Sequence, residues 1–168
     1  MVLWHTFIHS LKLPSKQAMF KLNRTGMDMA VIYMLILIFL SSIPTAVHML
    51  TSGTNEAGIN IAFWLVYFFF IFYLPITVVV FLALTLLAYI GTLIAKLLNR
   101  KLKLSLLWKM SAYASTIPAL AYTLYAFIFP LNLYIMWLMI AFIMIYLVKM
   151  ITVYPKRKIK KPHPSHDR

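Results

Sequence analysis

The sequence predicts an all-α, polytopic membrane protein: four transmembrane helices, preceded by an amphipathic helix at the membrane interface. Three observations predict it. Hydrophobic residues fill 63% of the 168 positions and charged residues 11%, against roughly 45–50% and about 25% in soluble domains. Uncharged runs cover 30–54, 57–95 and 110–148, each longer than the ~20 apolar residues that span a bilayer as helix. The Lys and Arg residues fall in three clusters that flank these runs. One membrane domain is expected over 1–168.

Residues 1–28 read as a cytoplasmic amphipathic segment. Leu3, Trp4, Phe7, Ile8 and Leu11 recur at helical spacing while His5, Thr6, His9, Ser10 and Lys12 face the other way, the pattern of a helix lying on the inner membrane surface. Residues 14–22 add a second short turn. A secretory signal is not expected here, because the first long apolar run starts only near Ala30 and ends without a small-residue cleavage pattern. Residues 29–50 form the first crossing, and Asp28 sits where a carboxylate favours the positive helix end.

Charge sets the number of crossings. The clusters are Lys12, Lys16, Lys21 and Arg24; then Lys96, Arg100, Lys101, Lys103 and Lys109; then Lys149, Lys156, Arg157, Lys158, Lys160, Lys161 and Arg168. The connection 51–60, TSGTNEAGIN, has only Glu56. The positive-inside rule places the three clusters in the cytoplasm and 51–60 outside. Residues 57–95 then cross once and 110–148 twice.

One crossing leaves part of 57–95 over. The surplus 61–74, IAFWLVYFFFIFYL, has eight aromatics in fourteen positions and suits an outer-interface segment, with 75–95 as the second crossing. The other reading is one long tilted helix kinked at Pro75. A basic loop follows at 96–109, then a third crossing at 110–129. Phe129–Asn132, FPLN, makes the break before a fourth crossing at 133–152 and a basic tail at 153–168. Both termini are cytoplasmic on this reading.

One phrase is written twice. SSIPTA carries Ser41, Ser42 and Pro44, and STIPAL carries Ser115, Thr116 and Pro118. Both lie on outward-running helices, which reads as two parallel copies of one unit. Pro44 and Pro118 free carbonyls near Leu40 and Ala114, and the adjacent hydroxyls are placed to re-satisfy such groups in lipid. The main expectation is a packed, kinked helix; the alternative is a pair of opened backbones lining a path. Ser111, Ser115, Ala119 and Thr123 form a small-residue stripe, and Ala88, Gly91, Thr92 and Ala95 a shorter one. Such stripes allow close helix approach inside one bundle, or in a homodimer.

Little else carries chemistry. Asp28, Glu56 and Asp167 are the only acids and cysteine is absent. No Lys, Arg or His lies mid-membrane, which argues against ion-coupled transport. No catalytic constellation, metal site or cofactor is expected. His5 and His9 have i,i+4 spacing but no third ligand, and His48 is an interfacial residue. The sequon at Asn23 falls on the cytoplasmic side. Lys156, Arg157, Lys158, Lys160 and Lys161 are expected to press on anionic lipid head groups; an acidic partner protein is the sharper alternative, and nucleic acid is not expected.

On HSLKLPSKQAMFKL (9–22), LSSIPTA (40–46) and LLWKMSAYASTIPAL (106–120), the chain resembles a family of small Gram-positive integral membrane proteins of unknown function. Some members are named maltodextrin-utilisation membrane proteins, and the family is distantly Yip-like. The resemblance implies the bacterial cytoplasmic membrane and carries over no site residues. The segment after the first helix is shorter here than in such relatives. The expected function is a non-enzymatic accessory or scaffold to other membrane components, with a small permease or permease subunit for a neutral solute such as a sugar as the alternative.

Overall fold

A computed structural model describes residues 2–51, 60–100, 102–129 and 133–155. The expected outer loop with Glu56, Lys101, positions 130–132 of the FPLN break and the basic tail from Lys156 lie outside the described residues. The elements are α1 (Val2–Leu11), α2 (Lys16–Arg24), α3 (Met27–Thr51), α4 (Ile61–Tyr67), a π-helical segment (Phe68–Tyr73), α5 (Leu74–Leu97), α6 (Leu104–Ala114), α7 (Thr116–Ile128) and α8 (Leu133–Val153).

Three helices are long and apolar enough to cross a membrane: Met27–Thr51, Ile61–Leu97 and Tyr134–Val153. The expected third crossing is divided. It consists of α6 and α7, of 11 and 13 residues, joined through Ser115, whose N–H bonds the Ser111 carbonyl at 3.0 Å and whose carbonyl accepts from Ala119 at 2.9 Å. Together they form the centre of the molecule. Every side chain from Met110 to Thr116 is buried, and α6 or α7 packs against each of α1, α2, α3, α5 and α8.

The helix from Ile61 runs without interruption to Leu97. This is the long-helix alternative, not a surface segment separated from a crossing at Pro75. The irregularity precedes the proline. Pro75 lies in the first turn of α5 and has no N–H to donate. The turn before it closes with wider, π-type bonds, as when the Leu74 N–H reaches back to the Phe69 carbonyl. At ~1.5 Å per residue the 37 residues exceed a ~30 Å hydrocarbon core, so this helix must tilt or protrude.

The turn after α5 is legible atom by atom. Arg100 N–H bonds the Ala95 carbonyl at 2.8 Å and Asn99 N–H that of Lys96 at 3.0 Å, the paired bonds of a Schellman cap. Asn99 takes φ 54°, a conformation Asn tolerates better than most residues. The chain thus reverses and enters α6 at Leu104. The sequence reading began that helix at Met110 and left Lys109 in a loop; here Lys109 lies inside α6.

At the other end, α1 divides its surface in a way periodicity did not show. Thr6 and Ser10 are buried because each hydroxyl bonds a carbonyl one turn back, Val2 at 3.0 Å and Thr6 at 2.8 Å. Val2, Trp4 and Leu11 point outward. Ser15 caps α2 by accepting from the Ala18 N–H, and Ala18, Met19 and Leu22 seat that helix in the core. Large exposed apolar side chains line α3, α4, α5 and α8. That surface is tolerable because lipid tails are as apolar as the side chains facing them.

Candidate functional site at the seam of α3 and α7

The two Ser-x-Ile-Pro phrases lie along one helix–helix seam. Tyr33 and Thr116 hydroxyls are 2.7 Å apart, Ser115 Oγ lies 3.5 Å from Met34 Sδ, and Thr123 and Ser41 hydroxyls are 3.2 Å apart. Partner separations along the chain stay at 83, 81 and 82 residues, so α3 and α7 run parallel. Parallel running is what the charge pattern requires of the first and third crossings.

The prolines act differently in the two copies. Helix α3 continues through Pro44, with Ser42 bonding the Phe39 carbonyl at 2.7 Å. The second copy breaks the helix at Ser115. Ser115 Oγ bonds the Ala112 carbonyl at 2.7 Å and Thr116 Oγ1 that of Tyr113 at 2.8 Å. These carbonyls neighbour Ala114, whose normal donor would be the missing N–H of Pro118. The hydroxyls bond carbonyls one or two residues before Leu40 and Ala114, the positions that the prolines leave without a donor. Ser42, Pro44, Ser115, Thr116, Pro118 and Ala119 are all buried.

The small-residue stripes meet different neighbours. A side chain on Gly91 would run into Leu147 of α8 and come into ordinary contact with Leu107 of α6, and Ala88 and Ala95 are buried with it. Ser111 lies one turn beyond Leu107 on α6, whereas Ser115 and Thr123 turn to α3. The break at Ser115 divides the longer stripe between two interfaces. Pro75 stands apart, at the start of α5, and the five tail cations lie outside the described residues.

Four residues that sequence reading did not select complete the site. Tyr113 is fully buried, and its ring meets Tyr33 edge-on at 5.6 Å. Its hydroxyl lies 2.8 Å from Thr25 Oγ1, which itself bonds the Leu22 carbonyl. Below it, the Lys109 ammonium donates to the carbonyls of Asn23 at 2.9 Å and Thr25 at 2.8 Å. Polar tips inside apolar helices were the available signal, since a buried Tyr hydroxyl needs a partner.

The arrangement holds helices together; it has no acid–base pair. Asp28 is the only acid among the described residues, and no group of three metal-binding side chains forms among them. His9 is held below its usual value by desolvation and then by the charges of Lys21, Lys12 and His5. No curated protein and no solved structure matches the chain. The family described as "Protein of unknown function (DUF1189)" matches residues 56–151, a stretch that includes α4–α7, the second Ser-x-Ile-Pro phrase and most of α8. That match covers more than half of the sequence, and the chain belongs to the DUF1189 family.

Proposed function

We propose that this chain is a non-enzymatic accessory or scaffold protein of the bacterial cytoplasmic membrane, crossing four times with both termini inside. One observation carries the reading. The hydroxyls of both Ser-x-Ile-Pro phrases are engaged within the protein, along a seam that joins α3 to α7. Polar groups committed in this way serve packing. The exposed apolar face of α4 and α5 offers lipid or a membrane partner a long lateral surface. A helix interrupted at Ser115, three residues before Pro118, favours the second reading, a small permease for a neutral solute such as a sugar, because broken helices line substrate sites in transporters.

Reconstituted vesicles separate the two. The scaffold reading expects sugar flux equal to that of empty vesicles, with a membrane protein co-purifying after in-cell cross-linking. Flux above that of empty vesicles that disappears in Pro118→Ala would replace the scaffold with the permease.

A further inference from the structure

We propose that a basic hollow between α2 and α6 binds a phosphate group, presented by the headgroup of an anionic lipid in the inner leaflet. The hollow has a volume of about 280 Å³ and is lined by Asn23, Lys103, Ser105, Leu106 and Lys109. Two lysines, a serine and an asparagine thus line one space beside Leu106. Lys109 is fixed there by its bonds to the Asn23 and Thr25 carbonyls. An ammonium has three protons, so one is left after those two bonds.

Among the described residues, carboxylates are too few to balance this charge. The described residues hold nine Lys and Arg side chains and one acid, Asp28. At least eight cations therefore lack a described carboxylate, and an external anion is the natural counter-charge. Phosphate fits the donor set better than a carboxylate, since its several oxygens can engage Lys103, Lys109 and Ser105 together. Basic pockets between helices on the cytoplasmic side are settings in which anionic headgroups are held. The lining residues lie on α2, on α6 and at its start.

The test uses the full-length protein in phosphatidylcholine nanodiscs doped with phosphatidylglycerol, with retained phosphatidylglycerol counted by native mass spectrometry. Lys103→Glu is expected to lower retention at least about fivefold, the change that one basic contact carries near a membrane. Lys96→Glu makes the same charge change at an exposed α5 position outside the hollow and should lower retention clearly less than Lys103→Glu. Ser105→Tyr fills the hollow without altering charge and should reproduce the Lys103→Glu loss. Equal losses for Lys96→Glu and Lys103→Glu, or retention unchanged in Ser105→Tyr, would overturn the site in favour of diffuse surface attraction. A parallel arm adds inorganic phosphate. Displacement of the lipid by millimolar phosphate assigns the hollow to a soluble phosphate compound, and persistence of the lipid assigns it to the headgroup.

Discussion

At Tyr33 and Thr116 a single proton count fixes the direction of a bond. The Thr116 hydroxyl has one proton and spends it on the Tyr113 carbonyl at 2.8 Å. It can therefore only accept from Tyr33, 2.7 Å away. Tyr33→Phe leaves Thr116 bonded to its own helix, so the loss is one interhelical bond, about 0.6 kcal/mol in membrane proteins. Thr116→Val removes both bonds and strands the Tyr33 hydroxyl, which costs about 1–3 kcal/mol. The double variant should cost less than the two single losses added. Detergent-titrated unfolding of the four proteins checks this, and simple additivity would show that the pair does not couple α3 to α7.

At the scale of the element, each helix end has its own chemistry, and the α5–α6 turn is the most exposed to test. Asn99 holds a left-handed backbone at φ 54°, which Gly adopts without cost and a β-branched residue does not. Asn99→Gly should leave unfolding within about 0.5 kcal/mol of the parent, whereas Asn99→Val should lose about 1–2 kcal/mol. Equal effects would place the reversal elsewhere. The same scale shows what the residues announced in advance. Long apolar runs announced membrane-length helices, found at Met27–Thr51, Ile61–Leu97 and Tyr134–Val153, and Pro118 announced a disturbed helix, interrupted at Ser115. The start of α6 was hidden because Lys109 reads as loop in a charge-free window, although a flexible ammonium can reach helix-end carbonyls from inside a helix. The aromatic run 61–74 fits either a surface segment or a long helix, so composition could not choose between them. Tyr33 and Tyr113 could not be paired with their partners, because contacts 83 and 88 residues apart leave no periodic trace.

For the whole molecule, two independent observations bear on orientation. In the proposed topology, charge assigns Lys12–Arg24 and Lys96–Lys109 to one side of the membrane. The packing has α3 parallel to α7, with partner separations nearly constant at 81–83 residues. Parallel helices that both traverse the bilayer start on the same side, so four crossings would put the segments before Met27 and before Leu104 on a shared face. A single passage of the helix Ile61–Leu97 between them then satisfies parity, despite its length. The absence of native cysteine makes this testable without background. Single cysteines at Thr54, Ser105 and Ser165 are expected to react with a membrane-impermeant maleimide on intact cells at Thr54 alone, and at all three after permeabilisation. Labelling of Ser105 in intact cells would put the second basic cluster outside. It would require an even number of passages between Thr54 and Ser105, and would break the agreement between charge and the parallel seam.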